Sequence, residues 1–232
     1  MATDFNSKKL SKTYSEGIPA ERLSLRPVNL ELIGNARNKK VLDLGCGYGR
    51  YSIILAKKGA KVIAIDPSKH QINIAKQKNP HKNITYLIKE GASLPFIKTN
   101  SIDLVFMNLV IPDIDKKENL KKIFKEARRV LKVKGSFVFS ALHPLYLHPE
   151  QDKFDKAFNF KKENYFKEGS LYNAKALTEK GNEVIFTETH FSLNYVAKLL
   201  KENGFVIKDF KESKSVPSKG IYLPKYLVIE AT

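Results

Sequence analysis

Between residues 41 and 50 the chain reads Val-Leu-Asp-Leu-Gly-Cys-Gly-Tyr-Gly-Arg, a short apolar run that breaks into glycines at alternate positions. Such a run suits a strand buried on both faces. Gly45, Gly47 and Gly49 let the backbone turn sharply and approach a ligand closely, which residues with a Cβ resist. Apolar Ile53, Ile54, Leu55 and Ala56 predict a helix over 49–58, stopped at Gly59, with its N-terminal N–H groups turned toward the same point. Strand, glycine turn and helix in that order predict a nucleotide-cofactor site. The dinucleotide pattern Gly-x-Gly-x-x-Gly would need glycine at position 50, where Arg50 stands, so NAD is not expected.

A second strand, 61–66, ends in Asp66, about 20 positions after the glycines, the spacing at which a carboxylate accepts the hydroxyls of a ribose. Asp43 adds a carboxylate two residues before the first glycine, suited to a cationic cofactor with a free amino group. The chain then alternates. A helix over 68–78 with Ser68 as its N-cap, strands over 84–88 and 102–108, a helix over 116–131 and a strand over 136–142 predict right-handed crossovers and a mostly parallel sheet covered on both faces. Residues 1–36, a polar arm followed by an amphipathic stretch over 20–33 that Pro27 interrupts and Gly34 stops, are placed as a cap on the cofactor cleft. The rhythm breaks over 143–190, where Tyr146, Phe154, Phe158, Phe160, Tyr165, Phe166 and Tyr172 alternate with lysines and acids. It resumes with a helix over 192–203 and strands over 205–211 and 226–230.

Val41 to Gly49 resembles, residue by residue, the first motif of the class I S-adenosylmethionine (SAM)-dependent methyltransferases of the small-molecule, UbiE-like type. Asp66 matches the acid that closes their second strand. Glu90-Gly91-Ala92-Ser93-Leu94-Pro95-Phe96 is similar to their Asp-Ala-x-x-Leu-Pro-Phe segment, with Glu and Gly replacing Asp and Ala. Residues 101–109 and 129–136 resemble the fourth-strand motif and the turn before the fifth strand. The resemblance covers roughly residues 38–142 and, more faintly, 189–232. It implies an α/β Rossmann-like fold with a seven-stranded sheet of order 3-2-1-4-5-7-6, the last two strands forming an antiparallel hairpin. It also implies a single domain, with an N-terminal cap (1–36), a SAM-binding core (37–142), a substrate lid (143–190) and a C-terminal helix and hairpin (191–232).

On that resemblance SAM lies over Gly45, Cys46, Gly47 and Gly49, with its amino group near Asp43 and its ribose on Asp66. Its adenine falls near Pro67, Glu90 and Gly91, and Asn108 stands at the end of the fourth strand. Tyr14 either closes over the methionine end or simply packs. In-line methyl transfer needs the acceptor held on the methyl axis more than it needs a base. Asp113 either orients the acceptor or caps the following helix. His143, at the end of the fifth strand before Pro144, is either a pocket base or a turn residue, and His190 either faces the pocket or precedes the Ser192 N-cap. Cys46 reads as a small filler rather than a redox group.

The chain carries 41 Lys and Arg against 24 Asp and Glu, a net charge of +17. Only six of the cations are arginine, the residue favoured for phosphate and base recognition, and 143–190 carries a net charge of −1. A solvated lysine surface is therefore favoured over a nucleic-acid partner, and the expected acceptor is a small or medium-sized metabolite. An RNA acceptor and a non-catalytic SAM-binding protein stand as alternatives. One cysteine, dispersed histidines and the lack of a long apolar run predict no disulfide, no metal and no membrane span, and a cytoplasmic location.

Overall fold

The computed structural model describes residues 3–147, 155–214 and 224–232. Its core is a seven-stranded sheet built from β1 (Lys40–Leu44), β2 (Lys61–Asp66), β3 (Ile84–Ile88), β4 (Ile102–Asn108), β5 (Leu131–Leu142), β9 (Ile207–Lys214) and β10 (Pro224–Ala231), in the order β3-β2-β1-β4-β5-β10-β9. Strands β1 to β5 are mutually parallel, whereas β10 runs antiparallel to both β5 and β9. This is the expected order, with the terminal hairpin at the sheet edge.

Both faces of the sheet are buried because successive apolar residues point to opposite sides. Leu42, Leu44, Val105, Met107, Phe137 and Phe139 pack with Leu120 and Phe124 of α5 (Lys117–Val130) and with Val196 and Leu199 of α6 (Leu193–Glu202). Val41, Val62, Ala64, Leu104 and Phe106 meet Leu32 of α2 (Arg26–Ile33), Leu55 of α3 (Arg50–Lys57) and Ile72 of α4 (Lys69–Lys78) on the other side. Ser68 caps α4 and Ser192 caps α6, each hydroxyl accepting from the amide three residues on.

Three local departures from the sequence reading have physical causes. Pro27 does not interrupt residues 20–33. It sits in the first turn of α2, where its missing N–H costs nothing, after a π-helical turn at Glu21–Leu25. Strand β5 begins at Leu131 directly after the helix, because Leu131 pairs with Ile102 before a register shift restores pairing at Ser136. The 143–190 segment, read as a break in rhythm, contains β6 (Asp155–Phe158), β7 (Ser170–Leu177) and β8 (Glu183–His190), a three-stranded antiparallel sheet. Tyr172, Ala174, Ala176, Val184 and Phe186 form its inner face and join Ile18, Ala20 and Tyr146 in a third core, against which Leu10 and Tyr14 of α1 (Lys8–Tyr14) pack. The insertion and the N-terminal arm are thus one packing unit, lying over the carboxyl ends of the parallel strands.

Candidate active site

At those carboxyl ends a cavity of about 290 Å³ runs past Gly45, Gly47, Asp66, Pro67, Glu90, Gly91 and Asn108 to Asp113. The glycine turn that forms its floor has φ of +71°, +51° and +80° at Gly45, Gly47 and Gly49. The amides of Gly45 and Cys46 both donate to the Ile65 carbonyl at 2.9 Å, which fastens the turn to the end of β2. The three glycines serve different ends. A Cβ on Gly45 would collide with the Val110 side chain and one on Gly49 would lie 2.5 Å from the Tyr86 hydroxyl, while Gly47 has no such neighbour within 3.8 Å and faces the cavity. Gly49 caps α3 and lines neither the main cavity nor its side chambers.

Asp66 accepts from the Gly47 amide at 2.9 Å on one oxygen and from the Ser68 amide at 2.8 Å on the other. Burial pushes its carboxyl up to about 6 against the lowering effect of those two bonds. Each oxygen keeps a lone pair for a ligand hydroxyl. Gln71, on the first turn of α4, lines the same wall, and both its amide atoms are buried without a hydrogen-bond partner among the described residues. Buried polar atoms left unsatisfied are rare and mark a place where a polar ligand completes the structure. No residue-level signal in the sequence singled out Gln71.

A side chamber of about 50 Å³ opens behind the glycine turn, lined by Asp43, Cys46, Tyr48, Arg50 and Tyr51. Ser52 donates to Asp43 at 2.5 Å, and burial raises the Asp43 carboxyl to about 7. Arg50 donates to Glu21 at 3.0 Å, and Glu21 also accepts from Arg26 at 2.8 Å and from the Tyr51 hydroxyl at 2.6 Å. The chamber therefore presents a guanidinium and a carboxylate together. Burial holds the Cys46 thiol well above its ordinary value, hence protonated, as a filler would be. Asn108 Oδ1 accepts from Asn29 at 2.7 Å and from Ser140 at 2.9 Å, and Ser140 Oγ accepts from the Leu109 amide. Leu109 is held at φ +53°, a conformation that costs a branched residue energy and that places its side chain against the cavity.

A methyltransferase domain model matches residues 42–139. A probable SAM-dependent methyltransferase of Saccharomyces cerevisiae is 28% identical over 197 residues, 82% of this chain and 61% of that protein. Malonyl-[acyl-carrier protein] O-methyltransferase of Hamiltonella defensa is 34% identical over 113 residues, 49% of this chain and 42% of the relative. The chain thus spans less than two thirds of the length of either curated relative. The crystal structure of a Listeria monocytogenes protein assigned as a SAM-dependent methyltransferase superposes with a TM-score of 0.69 at 28% identity, over 89% of this chain and 96% of that one. In sequence over residues 42–139 and in fold the chain is thus similar to the class I SAM-dependent methyltransferases.

A second side chamber of about 70 Å³ borders the β6–β7–β8 sheet and shares Phe5, Tyr14, Leu109 and Asp113 with the main cavity. Asp113 ends a 3-10 turn, Ile111–Asp113, and does not cap α5, whose N-cap is Lys116. Its carboxyl lies well above the usual carboxylate range, chiefly through burial, with the charges of Glu188 and then Asp66 adding to the effect. Tyr14 borders all three spaces and packs edge-on against Phe5, Tyr48 and Phe186.

Neither predicted histidine reaches these spaces. The His143 amide donates to the Lys225 carbonyl, and its ring turns toward the sheet edge. There Nε2 lies 2.8 Å from Glu212 Oε1 and Nδ1 accepts from the Leu145 amide at 3.1 Å. His190 is buried at the end of β8 between Phe160 and Tyr165, with Nε2 2.8 Å from the Tyr165 carbonyl oxygen. Burial lowers both imidazoles below their ordinary value. The Thr3–Asn6 arm, Lys89 and Glu188 border the cavities although the sequence reading did not select them.

Proposed function

We propose that this methyltransferase binds SAM in the 290 Å³ cavity and transfers its methyl group to a small acceptor held under the lid. One observation carries the reading. The cavity is continuous from Asp66 to Asp113, and the buried Gln71 amide inside it has no hydrogen-bond partner among the described residues. SAM supplies an electrophilic methyl on a sulfonium. Asp66 and Gln71 would hold the ribose, the backbone at Gly47 would lie along the ligand, and Pro67, Glu90 and Gly91 would border the adenine. Asp43 and Arg50 offer a carboxylate and a guanidinium to the amino and carboxylate groups of the methionine end. Leu109, Tyr14 and Asp113 stand between that end and the lid chamber, where an acceptor would meet the methyl in line. The protein's task there is positioning and exclusion of water, with proton transfer falling to Asp113 rather than to either histidine.

Calorimetric titration with SAM, S-adenosylhomocysteine and NAD tests the reading. Saturable heat is expected from the first two and none from NAD. Gln71→Ala and Asp66→Ala should each weaken S-adenosylhomocysteine, the second by about 1.5–3 kcal/mol for bonds to a charged group. NAD binding with no heat from SAM would refute it.

A further inference from the structure

Behind the glycine turn lies a hydrogen-bond network whose direction is forced from both ends. At one end is the Leu109 amide, which can only donate. It donates to Ser140 Oγ at 3.0 Å, which leaves the Ser140 hydroxyl hydrogen for Asn108 Oδ1 at 2.9 Å. At the other end is the Glu21 carboxylate, bridged to Arg26 and Arg50, which can only accept. The Tyr51 hydroxyl donates to it at 2.6 Å, so the Tyr51 oxygen is itself the acceptor toward Asn29 at 2.8 Å. Asn29, fully buried on α2, therefore turns its NH₂ group to both neighbours. One hydrogen goes to Tyr51 and the other to Asn108 Oδ1 at 2.7 Å. The arrangement is kept at a cost, because Asn29 Oδ1 is buried with no hydrogen-bond partner among the described residues.

Both branches of this network end at the cofactor's side of the molecule. With Asn108 Oδ1 committed to two donors, the end of that amide left for a ligand is Nδ2, a donor, which makes no hydrogen bond among the described residues. Asn108 borders the main cavity and the chamber that holds Asp43 and Arg50, but not the second side chamber. Along the other branch, Tyr51 and Glu21 fix the Arg50 guanidinium at the wall of the same chamber, Arg50 donating to Glu21 at 3.0 Å. An amide N–H and a guanidinium cannot accept from an ammonium, and together they suit an anionic oxygen pair.

We propose that Asn29 is a positioning residue for the carboxylate of the SAM methionine end. It aims Asn108 Nδ2 at that group directly and Arg50 through Tyr51 and Glu21, although it lines none of the three spaces itself. This deepens the SAM-dependent reading above and rests on it. Asp43 is then left to the amino group. With the ribose on Asp66 and the carboxylate on Asn108 and Arg50, the sulfonium lies between two anchored ends, so the direction of its methyl is set before an acceptor arrives.

The test compares S-adenosylhomocysteine with its decarboxylated analogue, S-adenosyl-3-thiopropylamine, by calorimetric titration. The two share adenosine, sulfur and amino group. The ratio of their affinities therefore reads the carboxylate alone, whereas a variant that merely loosens the fold weakens both together. The unaltered protein should bind S-adenosylhomocysteine at least about tenfold more tightly, as expected for bonds to a charged group. Asn108→Asp keeps an acceptor for Asn29 and Ser140 and replaces only the outward donor. Asn29→Leu removes the NH₂ group and adds no charge, so a loss shared by the two variants is not a side effect of the new carboxylate. Each should lower the ratio at least about fivefold. A rise in Tm on adding the decarboxylated analogue shows that each variant folds, and Asn29→Ser is read instead if Asn29→Leu does not. An unaltered protein with no preference, or a ratio unchanged within about twofold in Asn108→Asp or in the Asn29 variant, would overturn the proposal and leave the cofactor reading standing. No heat from either ligand in the unaltered protein would overturn the cofactor reading, and the proposal with it.

Discussion

Asp66 shows how one side chain can couple ligand binding to pH. Its carboxyl sits at about 6 in the folded chain against 3.8 for the ordinary residue, so folding takes up a proton between those values. Asp43, at about 7, behaves likewise. A raised carboxyl favours the folded state fully below its unfolded pKa and loses that contribution as pH rises through the folded one. The unliganded protein should therefore lose stability between about pH 4 and 7. A ribose held by the ionised carboxylate requires the opposite state, so S-adenosylhomocysteine affinity should rise over the same window, by about tenfold from pH 5 to 7 for Asp66 alone. Thermal unfolding and calorimetry at matched ionic strength check both slopes, and flat affinity across the window would remove Asp66 from the ligand. At this scale a place beside the cavities was legible in the sequence for residues at the ends of strands, as for Asp43, Asp66 and Asn108. The places of Gln71, Leu109 and Glu188 were not, because they depend on which face of a helix, turn or strand meets a cavity. His143 misled because strand-end position says nothing about where a ring points, and Glu212, far along the chain, turns it outward.

At the scale of elements, the parallel core was readable from its strand–helix alternation, and the three strands inside the insertion read as a lid were not. The inner face of the lid is built partly from Ala174 and Ala176, whose small side chains give little alternation to detect, while Leu171 and Ile185 are exposed on its outer face. The lid has its own core, so its stability should be separable from that of the sheet. Phe186→Ala removes a ring shared by Phe5 and Tyr14. It is expected to cost about 3 kcal/mol locally, toward the lower end for such truncations because Phe186 lies at the edge of its cluster. Hydrogen exchange should then quicken over residues 170–190 and leave the amides of β1 and β4 protected. Uniform acceleration throughout the chain would show instead that lid and sheet unfold as one.

Over the whole molecule, the net charge of +17 sits mainly on lysines outside the lid, and no helix among the described residues is long and apolar enough to cross a membrane. RNA binding driven by such a surface should be weak and should lose orders of magnitude as salt rises from about 50 to 200 mM. Filter binding with a structured RNA across that range checks this, and tight binding that survives high salt would point to a shaped nucleic-acid site. The N-terminal arm ties the whole together. Thr3 exchanges hydrogen bonds with Thr187 of the lid at 2.8 and 2.9 Å, and the Phe5 carbonyl accepts from Ser68 at 2.6 Å, so the segment between them crosses the cofactor cavity as a strap. A ligand reaching from Asp66 to Asp113 would lie beneath it. Residence time would then follow the unfastening of a few threonine and serine contacts, so that a spent cofactor could linger long after its chemistry is complete, at a pace set by residues that touch no reacting atom.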